Sequence, residues 1–256
     1  MNKKKIMLGI IGGIFMIGVL SGCETKDQAE LEQSFEKELS IYPTKNLLDF
    51  YDMEGYRDDE FDKDDKGVWV LSSSMGITKN DDAPLVNEGI VLRMNRNTRT
   101  AKGFYYVRSY TEDDIEKDTK EEFPVTYDEK GFHLTKEVSD PELKEKILNF
   151  QFFVQYGVFD KLDSYKNIKK MYNPEVPMYN LEYQLTNDDK NVKELRKRYD
   201  IPTKEAPTLV LSGRGSLEGS SVGSKELTFQ FTKKPPVYFT DSIDYQRSNE
   251  EDIINE

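Results

Sequence analysis

Apart from its carboxylates, this chain of 256 residues carries few side chains that could do chemistry: one cysteine, Cys23, and one histidine, His133. A thiolate nucleophile needs a neighbouring base, and a Ser-His-Asp arrangement needs an imidazole in a cleft. Cys23 directly follows an apolar run, whereas His133 stands between Phe132 and Leu134 in a stretch of strand character. That placement reads as a structural histidine. The lone thiol can form no internal disulfide, CxxC redox pair or thiolate metal cluster. The 48 Asp and Glu residues offer so many carboxylate pairs that pairing neither indicates nor excludes glycoside hydrolysis. Asp62 to Ser73 fails the calcium-loop pattern, because Lys66 stands at position 5 and Ser73 where a bidentate Glu belongs. Gly213, Gly215 and Gly219 miss the phosphate-loop spacing, and no GK[ST] follows. No metal site and no catalytic residue is expected.

The chemistry that remains is at Cys23. Lys3, Lys4 and Lys5 form a positive start, Ile6 to Leu20 is an uninterrupted apolar run, and the small residues Ser21 and Gly22 follow. This is the pattern of a secretory signal peptide. Its fifteen apolar residues fall short of the roughly 20 that a permanent transmembrane helix requires. Leu20, Ser21, Gly22 and Cys23 together resemble the lipobox of bacterial lipoproteins, in which a diacylglycerol is attached to the thiol before cleavage. Small residues let the processing enzymes bring backbone and sulfur close to a lipid. Two acyl chains on one residue hold a protein almost permanently, since each buried methylene adds about 0.8 kcal/mol. Covalent diacylglycerol is thus the only added group expected, with an N-linked acyl chain on Cys23 left open. The expected location is the extracellular face of the cell membrane.

Cleavage before Cys23 removes 22 residues and leaves 234, enough for a sizeable core in one or two domains. Large burial per residue comes from 15 Tyr, 14 Phe and 1 Trp. The whole chain has formal charge -12, and loss of three lysines with the signal leaves about -15. Such a body is repelled by nucleic acid, and no nucleic-acid partner is expected. Acid gathers in Asp58 to Asp65, in Glu112 to Glu122 and from Asn249 to Glu256. These runs read as solvated faces.

Against that background, Gly89 to Thr111 holds no acid but contains Arg93, Arg96, Arg99, Lys102 and Arg108 among Phe104, Tyr105, Tyr106 and Tyr110. A second cluster is Lys193, Arg196, Lys197 and Arg198. On an exported protein the first cluster is a candidate patch for an anionic ligand such as wall polymer, host glycan or an acidic partner. Charge balance for neighbouring acid loops is the plainer reading. Because exposed ion pairs contribute little, neutralising Arg96 and Arg99 is expected to leave folding almost unchanged.

The elements that must position these groups follow from periodicity. Leu31, Phe35 and Leu39 form a helical stripe within Glu24 to Ser40, part helix and part tether. Pro43 ends it, Thr44 can cap a second short helix through Leu47, Leu48, Phe50 and Tyr51, and Gly55 stops that one. Gly67 to Leu71 reads as a buried strand with Trp69 in the core. Ile90 to Asn95 with Arg99 to Tyr110, and Phe123 to Tyr127 with Gly131 to Thr135, read as hairpins. Asp140, Pro141 and Glu142 announce a helix through Leu143, Ile147, Phe150 and Val154, extending to about Tyr156. Tyr179 to Leu185 alternates as a strand, and Asn187 or Asp188 caps a helix ending near Tyr199. Thr208 to Ser212 and Leu227 to Phe231 are strands joined by a flexible glycine-rich loop, with Val237 to Thr240 as an edge strand after Pro235 and Pro236.

Hairpin neighbours with helices between groups of strands argue for α+β, a largely antiparallel sheet with a few packed helices. The expected organisation is a signal peptide over 1–22, a lipidated tether and N-terminal helix over 23–45, a globular domain over 46–241 and a frayed acidic tail over 242–256.

Four segments of this chain resemble the staphylococcal tandem lipoproteins, also called lipoprotein-like proteins: the LSGC lipobox, YDMEGYRDDEFDKDDKGVWVL, NEGIVLRMNRNTRTAKGFYYV and GRGSLEGSSVGSKELTFQF. The resemblance implies a membrane-anchored surface protein of a Gram-positive cell, handled by lipoprotein-processing enzymes. It links the protein to the host surface and, through the lipid, to innate immune receptors, and it implies no catalytic residue. The leading expectation is a non-catalytic interaction protein. The alternative is a lipoprotein component of envelope transport or cell-wall hydrolysis.

Overall fold

Alternating apolar and polar residues build ten strands that pair, all antiparallel, into one sheet in the computed structural model of the chain. The structure describes residues 27–57, 61–80, 82–111, 115–173, 175, 178–214 and 225–249. Strands β1 (Val68–Ile77), β2 (Leu85–Asn95), β3 (Thr100–Tyr110), β4 (Thr119–Asp128) and β5 (Gly131–Leu134) run outward from the middle as a meander. Strands β6 (Lys166–Asn173), β7 (Met178–Gln184), β8 (Thr208–Arg214), β9 (Lys225–Lys233) and β10 (Pro236–Gln246) return from the far edge. The two meanders join where β10 pairs with β1 over its full length, from Val68 opposite Gln246 to Ile77 opposite Val237.

Three helices lie over one face of this sheet among the described residues: α1 (Gln28–Leu39), α2 (Pro141–Leu148) and α3 (Lys190–Arg198). Helix α1 starts in a capping box in which Asp27 accepts from Glu30 N–H and the Glu30 carboxylate accepts from Asp27 N–H. Its stripe Leu31 and Phe35 is fully buried with Tyr179, Leu181 and Leu211, so this helix belongs to the core and is no mere tether. Helix α3 buries Val192 and Leu195 in the same cluster. A second cluster forms under β1 to β5, where Trp69, Leu92, Tyr105 and Phe132 meet Ile147 of α2. Tyr42 packs against both clusters and ties the halves together. The antiparallel α+β reading therefore holds, with Trp69 in the core as expected and both predicted hairpins present.

Several boundaries differ. Helix α2 ends at Leu148, not near Tyr156. Phe152 belongs to one core cluster and Phe153 to the other, and an extended backbone at Phe152 (φ -64°, ψ 149°) sends neighbouring side chains apart as a helix cannot. The second short helix is a 3₁₀ turn, Leu47–Tyr51, capped by Asn46 and not by Thr44. Asp189, one residue later than expected, caps α3. Strand β6 was not anticipated, because its sequence KNIKKMYN is dominated by polar residues. The expected edge strand at Val237 to Thr240 is the start of β10, which lies in the middle of the sheet and continues through Gln246, so the chain does not fray at Asp241.

Candidate functional site

The face of the sheet opposite the helices carries the polar half of each strand's alternation. Register places Asn180, Ser212, Glu226, Ser242 and Ser72 in one line across β7, β8, β9, β10 and β1. Across β6 to β10 a groove of about 450 Å³ is lined by Met171, Met178, Asn180, Ser212, Ser242 and Asp244, among others. The Asn180 amide donates to Ser212 Oγ at 3.0 Å, while its Oδ1 is buried with no partner among the described residues. Amide, hydroxyl and carboxylate groups of this kind can hydrogen-bond a small polar ligand; nothing in the sequence had pointed to them, because strands far apart in the chain bring them together.

The basic hairpin is β2, the turn at 96–99, and β3. Its cations have separate tasks. Arg96, half-buried, donates to Lys66 O at 2.6 Å, Tyr245 Oη at 2.7 Å and Tyr51 O at 3.3 Å. Gly67 closes this knot, since its φ of +75° suits glycine and a Cβ there would stand 2.6 Å from the Tyr245 ring. Arg99 pairs with Asp52 at 2.7 Å, and its hydrogen bond holds the Asp52 carboxyl below the usual range. Arg108 lies 4.5 Å from the centre of the Tyr106 ring and 3.7 Å from Glu122. Arg93 and Lys102 face each other across β2 and β3 on the side away from the helices.

Neutralising Arg96 and Arg99 therefore has unequal consequences, contrary to the sequence expectation. Arg96→Gln is expected to lose about 2–3 kcal/mol, as hydrogen bonds from a charged donor contribute about 1.5–3 kcal/mol and the half-buried contacts to Tyr51 O and Tyr245 Oη are lost. Arg99→Gln, at an exposed pair, is expected to unfold like wild type. Urea denaturation of the two variants measures this, and equal midpoints would contradict it.

Of the second cluster, Arg196 is bound to Thr203 O at 2.6 Å and Glu205 O at 2.7 Å, and Arg198 lies 3.8 Å from the Tyr156 ring centre. Lys193 pairs with Asp188 at 3.0 Å and Lys197 with Glu194 at 3.8 Å. His133 stands in β5 and shares a 2.8 Å hydrogen bond with Asp128 at the surface. Asp65, at the end of the acidic run, is not merely solvated. Burial works upward on its carboxyl, but donors from Asn97, Ser248 and Gly67 outweigh it and hold the pKa at about 2. It clamps the hairpin turn to the C-terminal end.

Two carboxyls lie deep in the fold. Asp241, 1% exposed, accepts from Tyr42 Oη at 2.5 Å and from Ser73 Oγ, which itself accepts from Phe153 N–H at 3.1 Å. Burial raises its pKa to about 7 despite those donors. Glu38 is raised to about 7 by burial, with Lys225 at 2.8 Å opposing the shift. Leu20, Ser21, Gly22 and Cys23 lie outside the described residues, as do Asp58 to Glu60 of the acidic run and residues 215–224 of the glycine-rich loop. Among the described residues no group of three His, Cys, Asp or Glu is placed to hold a metal ion, and no helix is long and apolar enough to cross a membrane.

Comparison with known proteins finds a match to the model of the Csa1 family over residues 27–248. The chain is 51% identical over 250 residues to an uncharacterized lipoprotein of Staphylococcus aureus strain USA300, covering 96% of this chain and 98% of that protein. It is 51% identical over 242 residues to an uncharacterized lipoprotein of strain N315, covering 93% of this chain and 94% of the relative. An uncharacterized lipoprotein of strain Mu50 is 50% identical over 250 residues.

Proposed function

The chain belongs to the Csa1 family, and from that membership we propose that it is a lipoprotein, processed before Cys23 and tethered by diacylglycerol to the extracellular face of the cell membrane. The observation that carries this is the chain's only cysteine, standing directly after an apolar run and Leu20-Ser21-Gly22. Relatives named lipoproteins, matched along almost the whole chain, support it.

The body is a non-catalytic interaction module in this reading. Its proton-perturbed carboxyls, Asp241 and Glu38, are buried, at 1% and 5% exposure. Host-cell contact is the task of the folded body, and engagement of innate immune receptors is the task of the lipid. An anionic ligand at the hairpin would meet Arg93 and Lys102, and its binding would weaken as salt rises.

Cys23→Ala is expected to move the protein from the membrane fraction to the medium, and mass spectrometry of the wild-type N-terminus is expected to find an acylated Cys23. Unchanged membrane retention of the variant, with an unmodified wild-type Cys23, would overturn the reading.

A further inference from the structure

We propose that the free edge of β6 is a second membrane contact, which lays the body in one orientation against an anionic lipid surface; this rests on lipidation of Cys23. Only Glu24, Thr25 and Lys26 separate Cys23 from Asp27, the cap of α1. Four residues of fully extended chain span at most about 14 Å. The helix they lead into is rigidly docked, with Leu31 and Phe35 fully buried. Whatever surface surrounds the start of α1 must therefore face the bilayer at close range.

That surface is the β6 edge. Tyr183 of β7 donates to Glu32 at 2.8 Å, Phe35 meets the Tyr179 ring edge-on at 5.6 Å, and Glu38 reaches Lys225 of β9. Helix α1 thus runs diagonally, from the Tyr183 end of β7 toward its Tyr179 end and toward β9, so its first turn points past the Tyr183 end, where Lys166 and Asn167 of β6 lie. Asp27 lies five residues before Glu32, about 7.5 Å back along the axis. Tyr183 is in register with Asn167 of β6, the last strand of the sheet, whose other edge is unpaired among the described residues.

The side chains there suit a headgroup layer. Lys166, Lys169 and Lys170 are exposed, beside Ile168 at 46% and Met171 at 37%. From Lys161 to Asn173 four lysines stand against one acid, Asp163, in a chain of net charge -12, and Lys169 also pairs with Glu182 of β7 at 2.8 Å. Lysines alone could serve to block strand addition at an open edge. Exposed Ile168 and Met171 have no part in that, whereas cations with apolar neighbours suit a surface charged at the headgroups and greasy beneath. Attraction to anionic lipid fades within a Debye length of about 8–10 Å, so only a surface held as close as this one gains from it.

Acylation of Cys23 leaves no other thiol, so Ile168→Cys can carry a single polarity-sensitive label on the full lipidated chain, with Tyr110→Cys, exposed on β3, as the distant control. In phosphatidylcholine vesicles containing phosphatidylglycerol, the label at 168 is expected to be several-fold less accessible to an aqueous quencher than the label at 110. Lys166→Gln, Lys169→Gln and Lys170→Gln together should return it to water while the chain still floats with the vesicles, as should vesicles of phosphatidylcholine alone. A chain that floats but leaves both labels equally accessible overturns the orientation and spares the anchor. A chain that does not float overturns the anchor, and the orientation with it.

Discussion

Lys225→Met is expected to destabilise the fold by about 3–5 kcal/mol, the usual cost of removing one partner from a buried ion pair. Lys225 and Glu38 are 2.8 Å apart with side-chain exposures of 5% and 7%. The ammonium also donates to Ser34 Oγ at 3.1 Å and lies 5.7 Å from the Phe35 ring centre. Glu38 Oε2 has no hydrogen-bond partner among the described residues, so Lys225 is the charge that makes its burial tolerable. With methionine there, Glu38 must either take up a proton or open the contact between α1 and β9 to water. Glu38→Leu combined with Lys225→Met should recover most of the loss, since an apolar pair avoids desolvating two charges. Urea midpoints of the single and double variants decide it, and a single variant as stable as wild type would falsify the argument.

Stability is expected to rise by about 2–3 kcal/mol between pH 8 and pH 5 on account of Asp241 alone, at 1.36 kcal/mol for each unit of pKa difference that titrates. The folded carboxyl is raised to about 7 from an ordinary 3.8, chiefly by burial. The folded state therefore binds the proton more tightly than the unfolded chain. Its contribution is complete below about 3.8 and disappears as pH rises through 7. Glu38, raised to about 7 for the same reason, acts in the same direction. Asp65, held at about 2, opposes them only below the ordinary carboxyl range and does not affect this window. Asp241→Asn should remove much of the pH dependence and make the protein more stable than wild type at pH 8, where the wild type must bury a charge. Chemical denaturation at the two pH values tests this, and a wild type equally stable at both contradicts it.

Local pattern was enough for much of the fold. The stripe Leu31, Phe35 and Leu39 could only be a helix with one buried side, and Tyr179, Leu181 and Tyr183 only a strand with one. The hairpins around Arg96 to Thr98 and Asp128 to Lys130 were readable because turn residues interrupt two alternating runs. The expectation at Cys23 rests on a different ground, since export signals are recognised as linear sequence before any fold exists.

Tertiary structure decided the rest. Asp241 marked the end of a strand by every local rule, yet it lies inside the central strand because Ser73 and Tyr42, 168 and 199 residues away, satisfy its oxygens. Arg96 and Arg99 are three apart in one turn and indistinguishable as sequence, but Arg96 reaches Lys66, Tyr51 and Tyr245, whereas Arg99 reaches only to the surface pair with Asp52 and the face of Tyr51. Strand β6 is polar because it is an edge, and which strand is the edge depends on the order of all ten. The sequence by itself determined local periodicity, which depends on neighbours in the chain; the fold alone determined which polar groups are buried or paired, because those partners are brought together only when the two meanders close on β1 and β10.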